Sequence, residues 1–360
     1  MSGYKMMKIN DYKTTKPKLV LKELCTEEFL QSKEGEYFPE STYKHIINSD
    51  MDVYGVDSNG DKKLLGKFRK NMIPIDICET ALENLKKAAM RKNDNRGAAG
   101  GVLDSKKLPK YVKGLANAGK FRTVGYYNAD GRLINSSLGN ISQSNIIGYY
   151  DKADRNLGRG APKCRLTAFT AKEVEKWDAC LPYFRYADAC FQALVPDRHR
   201  EQWERANSTE FVVPNTSFST ITINYNWRTA LHKDDGDFKD GFGNLLILEE
   251  GKYEGGYLGF PRYGVCFDVR MGDFLAMDVH EWHCNTAIKG ITPEFSRVSV
   301  VCYLREKMDK CKDTSLAESI SRSGGTLLKK EENELREDGY ISEKEKSFDD
   351  EQDNELYNKR

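Results

Sequence analysis

The sequence predicts an α+β protein in which supporting helices precede a jelly-roll or cupin-like β core. Three observations carry that expectation. From Phe211 onward the chain runs through FSTITINYNW, NLLILEE, GYLGF, GVCFDVR, DFLAMDV and SRVSVVCYL, short β-rich segments at regular spacing. Gly, Asp and Pro turns such as DDGDFKDGFGN and GKYEGG lie between them, the pattern of an antiparallel sandwich or barrel. Helical periodicity is confined to the part before them, and helices followed by a block of strands are α+β order. Finally, 39% apolar and 11% aromatic residues in 360 suffice for a globular core.

In chain order, ICETALENLKKAAM (Ile77–Met90) places Ile77, Ala81, Leu82, Leu85 and Ala89 near helical spacing. RKNDNRGAAGG then stops the helix and opens a loop. Residues 97–160 are rich in Gly, Asn and Ser and read as loops with short strands. A second helical region runs from about Ala171 to Arg205, with Thr170 and Glu173 as a capping box and a break at Pro196. Length allows one large domain with extensions or two domains. The division expected is 1–90 as a partly helical basic extension, 91–306 as the main domain and 307–360 as a charged tail.

No run approaches the roughly 18 to 20 apolar residues that cross a bilayer, which excludes a membrane-spanning helix. MSGYKMMKINDYKTTKPK has no apolar h-region, so no secretory signal is read. Nine dispersed cysteines without a CxxC spacing suggest reduced thiols in a reducing compartment, cytoplasm or nucleus. The net charge of +1 conceals an asymmetry. Residues 331–360 carry twelve acidic and five basic side chains, whereas Gly60–Arg122 carries sixteen Lys and Arg against six Asp and Glu. The basic stretch is either a solvated surface or a face for phosphate backbones.

Three of the five histidines fall in the strand block. His232 and Asp234, in LHKDDGD, are spaced i and i+2, so an extended chain points both to one side. His283, in MDVHEWHCN, follows about fifty residues later at the end of another strand. Two histidines and one carboxylate on one face leave three positions open, the facial triad of a non-haem Fe(II) oxygenase. A keto acid takes two of them and O₂ the third. Arg297 comes fourteen residues after His283, and Ser299 shares its strand face in SRVSVVCYL. An arginine there can grip the distal carboxylate of 2-oxoglutarate in a bidentate pair, with the serine hydroxyl adding a hydrogen bond. Asp273 starts the strand leading to the distal histidine. His280, three residues before His283, faces the other way on a strand and is expected to pack or hydrogen-bond nearby. Trp282 reads as core, His199 as an exposed helical residue, and His45 has no evident partner.

NYNWRTALHKDDGDF, GGYLGFPRYGV, GDFLAMDVHEWHCNT and SRVSVVCYLRE resemble the TET/JBP family of 2-oxoglutarate- and Fe(II)-dependent oxygenases. The resemblance is clearest over about 210–306 and extends more loosely back to about 90, through NRGAAGG and SQSNIIGYYD. It implies a double-stranded β-helix core from about residue 211, and hydroxylation of the 5-methyl group of thymine or 5-methylcytosine in DNA. It implies His232, Asp234 and His283 as iron ligands and Arg297 and Ser299 as 2-oxoglutarate ligands. Asp237, three positions after the metal aspartate, corresponds to a residue that touches the target base. A methyl group inside the duplex is out of reach, so the base must be flipped or the DNA single-stranded. Arg96, Arg228 and Asn224 are candidates for base, phosphate or pocket contacts, with Asn226 beside them. The same oxygenase chemistry on a protein side chain or a small molecule remains open, as do a non-catalytic nucleic-acid-binding module and a cupin-type hydrolase or isomerase.

Overall fold

The computed structural model describes residues 16–151, 164–313 and 315–317. The acidic run 331–360 lies outside the described residues.

Two sheets and a helical layer organise the chain. The large sheet has the strand order Lys18–Lys22, Met51–Val56, Lys62–Arg69, Phe274–Met277, Gly243–Glu250, Ser296–Tyr303, Thr220–Tyr225, Ser142–Asp151 and Cys164–Leu166. All its pairings are antiparallel except that of the first two strands. A smaller sheet runs Cys284–Asn285, Leu258–Phe260, Val265–Phe267 and His45–Ile47. Phe68, Leu245, Ile247 and Leu275 of the large sheet meet Phe260, Val265 and Phe267 of the small one in a shared apolar cluster. The result is a mixed α and β architecture, consistent with a jelly-roll core.

The strand Ser296–Tyr303 shows how the layers are specified. Val298, Val300 and Cys302 join the helical cluster, and the alternate residues Arg297, Ser299, Val301 and Tyr303 turn to the other face. Because both faces are covered, a polar residue on the inner face is enclosed by the protein. The helical layer consists chiefly of Ile75–Ala89 and Val174–Leu194. In the longer helix Trp177, Cys180, Phe184, Ala187 and Phe191 recur at helical spacing and are buried against the sheet.

Several sequence expectations are corrected here. Strands from residues 18–69 pair into both sheets, so strand pairing crosses the boundary expected at residue 90, and the β core starts well before 211. The capping residue is Thr167, which accepts from Thr170 N; Thr170 lies inside the short helix Ala168–Lys172, its hydroxyl accepting from Gly148 N. Cys164 and Cys311 form a disulfide, against the expectation of nine reduced thiols; the other seven cysteines are free. His199 is buried: on the helix Pro196–Ala206 it shares an inward face with Gln202 and Ala206, a face that polar neighbours conceal in the sequence. Its ring lies against Phe191 and Trp203, and its Nε2 lies 3.1 Å from Asp188 Oδ2. The other carboxylate oxygen of Asp188 accepts from both the backbone N–H and the hydroxyl of Ser217, each at 2.7 Å.

Asp188 thus joins two helices to the segment entering the central strand. Asp188→Ala should strand buried donors and lower unfolding free energy by about 2 to 3 kcal/mol. Urea denaturation checks this, and a loss under about 0.5 kcal/mol, the range of neutral surface changes, would remove the bracing role.

Candidate metal centre

The centre is built on a two-residue bridge. His232 N donates to His283 O and His283 N donates to His232 O, both at 3.0 Å. That reciprocal pair puts the two imidazoles on one side with ring centroids 4.3 Å apart. His232 Nδ1 lies 2.8 Å from Ala230 O, and His283 Nδ1 lies 2.9 Å from Glu281 O. A carbonyl only accepts, so each Nδ1 carries a proton and Nε2 is the nitrogen turned to the interior. Both Nε2 atoms face Asp234, at 3.5 Å from one carboxylate oxygen and 3.8 Å from the other. Burial, reinforced by the neighbouring His283, lowers the His232 pKa to about 4, so the ring is neutral at pH 7. The donor atoms of His232, Asp234 and His283 lie within 4.8 Å of one another. Two imidazole Nε2 atoms and a carboxylate, already turned inward, fit one divalent transition-metal ion and leave its remaining positions open.

Arg297 and Ser299 stand on the inner face of the strand Ser296–Tyr303. Arg297 is 2% exposed; Nη2 donates to Gly256 O at 2.9 Å, and the buried Nε has no partner among the described residues. Burial lowers its pKa below the ordinary arginine range, Tyr253 opposes that shift, and Arg270 adds to it. Gly256 is required beside it: φ is +71°, and a Cβ there would come within 3.0 Å of Arg297 Nε. Asn226, itself left-handed at φ 43°, accepts Arg297 N on Oδ1 at 2.7 Å and donates its own N–H to Arg297 O. A guanidinium so enclosed, with a donor left over, is suited to an anionic ligand.

Ser299 belongs to a directional chain. The Ser144 hydroxyl donates to Asn224 Oδ1, and Asn224 Nδ2 donates to Ser299 Oγ at 3.1 Å. The Ser299 hydroxyl hydrogen is thereby left free for a ligand. Asn224 is buried and both ends of its amide are engaged in the sheet, so it supports Ser299 instead of offering the expected pocket contact.

The remaining candidates separate. Arg96 turns inward, with Nε and Nη2 buried and unpartnered and with attraction to Tyr303 and Asp234. Asp237 is buried; desolvation and the nearby Asp234 charge drive its carboxyl well above the usual range, with Arg305 opposing. Arg228 is committed to the protein: Nε donates to Asn285 O at 3.0 Å, Nη2 to Phe38 O at 2.6 Å, and the guanidinium stacks on Tyr37. Those bonds brace the strand before His232 and leave little for a base or phosphate. His280 lies within hydrogen-bond distance of Phe238 O, away from the triad. Trp282 is core as expected, with Nε1 donating to Glu27 at 2.7 Å. Asp273 accepts from Lys70, Asn71 and Arg270 at the turn before its strand. Tyr253, Gly256, Glu281 and Tyr303 escaped sequence reasoning, since each acts through a partner distant in the chain; the GG in GGYLGF was the one local signal.

Comparison with known proteins now has a geometry to meet. Residues 145–306 match the family described as Tet_JBP, the oxygenase domain of the 2OGFeDO superfamily. A protein of Trypanosoma cruzi strain CL Brener named thymine dioxygenase JBP1-B is 36% identical over 218 residues, 59% of this chain and 25% of that one. A Trypanosoma brucei brucei protein named bifunctional helicase and thymine dioxygenase JBP2 is 30% identical over 274 residues, 76% of this chain and 21% of that one. The chain therefore spans about a quarter of the length of these relatives. The solved structure of NgTET1 in complex with 5mC DNA covers 80% of this chain and 93% of its own, at TM-score 0.45 and 13% identity. The matched span contains His232, Asp234, His283, Arg297 and Ser299. Residues 145–306 of this chain thus match the oxygenase domain of the TET/JBP family, within the superfamily of 2-oxoglutarate- and Fe(II)-dependent dioxygenases.

Proposed function

We propose that the chain hydroxylates the 5-methyl group of a pyrimidine base in DNA, using Fe(II), 2-oxoglutarate and O₂ in a double-stranded β-helix core. The observation that carries this reading is the convergence of His232, Asp234 and His283 within 4.8 Å, in a chain that also holds a buried arginine with an unused donor. Thymine is favoured over 5-methylcytosine because the matched relatives bear the name thymine dioxygenase.

His232, Asp234 and His283 would hold the iron through two imidazole Nε2 atoms and a carboxylate. Bound iron, with 2-oxoglutarate and O₂, supplies the oxidising power for C–H hydroxylation, releasing succinate and CO₂. Arg297 grips the distal carboxylate of 2-oxoglutarate, and Ser299, held by Asn224, donates to it. Arg96 brings an uncompensated positive charge to the same interior, beside Asp234, where it balances anionic groups of the bound complex. Asp237, its protonated form favoured by burial, presents both a donor and an acceptor to the edge of the base. Both histidines are buried, so a base reaches them only when flipped from the stack or presented in a single strand.

Reconstitution without oxygen, with Fe(II), 2-oxoglutarate and thymine- or 5-methylcytosine-bearing oligonucleotides, followed by air, tests the reading. Succinate together with a base heavier by one oxygen, absent in His232→Ala, is the expected result and names the base. Succinate with no oxidised base removes the DNA substrate; neither product with iron bound removes the catalysis.

His283→Ala should weaken Co(II) binding, read from its ligand-field absorption, by at least about 100-fold, beyond what outer-shell changes produce. Arg297→Lys, which keeps the charge and loses the fork, should raise the KM for 2-oxoglutarate roughly 10- to 100-fold. Asn224→Ala should raise it less, about 5-fold, because only the orientation of Ser299 is lost. Equal effects from the two substitutions would contradict the assigned roles.

A further inference from the structure

The basic stretch 60–122 divides in the fold. Several cations of its first part are paired within the protein: Arg69 with Asp52, Lys70 with Asp273, Lys63 with Glu281 and Asp278, and Lys86 with Glu250. Its second part belongs to a separate antiparallel sheet of Gly114–Ala118, Arg122–Tyr127, Leu133–Ile134 and Leu138–Gly139, with residues 103–113 leading in. Between Leu103 and Ile134 the chain carries Lys106, Lys107, Lys110, Lys113, Lys120, Arg122 and Arg132 against Asp104 and Asp130, a net of +5. Among the described residues Lys110 and Lys113 are exposed and form no ion pair. Apolar side chains stand among these cations: Val124 is 56% exposed, Leu133 42% and Tyr127 41%.

This sheet is anchored beside the metal centre. Asn140, at its base, donates through one amide to the carbonyls of Gly100, Gly101 and Val102. Those residues directly continue the loop that turns Arg96 toward Asp234. The same loop is bonded to the segment before His232 through Ala230 N to Ala99 O at 3.0 Å. Lys113 N donates to Tyr127 O, and Asn128 N donates to Arg132 O, which places Lys113, Tyr127 and Arg132 along one end of the sheet. Lys120 and Arg122 lie at the other end, across Gly114–Ala118. Five extended residues span about 16 Å, roughly half a turn of duplex DNA.

We propose that residues 103–134 form the platform that holds the DNA phosphate backbone while the target base enters the metal centre. This rests on the DNA-base reading above and adds the surface that presents the strand. Charge complementarity selects the occupant: unpaired lysines interleaved with exposed aromatic and apolar side chains fit a polyanion whose sugars and bases also make apolar contacts. Residues 103–134 gather seven cations of the stretch onto one sheet and its lead-in, with Lys110 and Lys113 exposed and free of ion pairs among the described residues.

Fluorescence anisotropy with a labelled duplex, across a salt series, tests the proposal on the full chain. Lys110→Glu with Lys113→Glu should weaken DNA binding at least about 10-fold near 0.1 M salt and flatten the salt dependence by about one unit of slope per lysine. Lys18→Glu with Lys22→Glu, exposed on the opposite edge of the large sheet, changes net charge equally and should stay within about 2-fold of the parent chain. Unchanged affinity and slope in the first variant overturn the platform, as does an equal loss in the second. If the first variant binds and oxidises DNA normally, the platform falls and the substrate reading stands. If the parent chain oxidises no base yet loses DNA binding through these two lysines alone, the platform stands and the substrate reading falls. A parent chain that binds no DNA removes both.

Discussion

The reciprocal backbone bond between His232 and His283 is the constraint on which the rest of the centre depends. Two segments about fifty residues apart are joined by an isolated bridge instead of a full ladder, so two hydrogen bonds fix both imidazoles at once. Asp234 is fixed by one further bond, from its N–H to Val279 O, two residues beyond the Glu281 that a continuous antiparallel register would place opposite it. A slip by one residue would reverse every side chain and take both nitrogens out of the interior. Both histidines donate Nδ1 to a carbonyl two residues earlier, so the backbone path that sets position also sets the tautomer.

The surroundings hold that bridge through one acid from the N-terminal helix. Glu27 Oε1 accepts from Lys233, between two of the triad residues, and from Trp282, adjacent to the third. Its other oxygen pairs with Arg262, whose Nε donates to the buried Glu281 at 3.0 Å. Glu281 also receives Lys63 and the Trp282 backbone N–H, while its own carbonyl accepts the His283 proton. Buried ion pairs add little net stability after desolvation, but they penalise alternative arrangements strongly. That suits a centre whose ligands must stay within a fraction of an ångström before any metal arrives.

Legibility followed the range of the interactions. His232, Asp234, Arg297 and Ser299 were readable because the i, i+2 geometry of a strand converts spacing into a common face, and the short β segments were readable for the same reason. Helix Ile75–Ala89 announced itself by its apolar stripe, though Cys78 is the buried first position and Ile77 is only partly covered. His199, Arg228 and Asn224 were misplaced because each is positioned by residues far away in the chain. Arg96, a candidate for base or phosphate contact, lies inward on a loop that Ala99 O ties to Ala230 N. His199 sits among charged neighbours that face solvent while its own position faces Asp188. The pairing of strands 18–69 with 265–277 was equally invisible, since neither partner carries a mark of the other.

The charges of the first third follow the same division between inside and outside. Lysines and arginines on Lys62–Arg69 serve as counterions for Asp52 and Glu281, because that strand lies inside the large sheet and any cation there requires a buried acid. Residues 103–134 form a separate sheet with one face in solvent, so no such requirement applies and the cations remain available. Composition alone assigns both groups to one basic stretch. Topology separates them, pairing several cations of the first group with acids such as Glu281 behind the metal-binding bridge and leaving the second group on a sheet with a face in solvent.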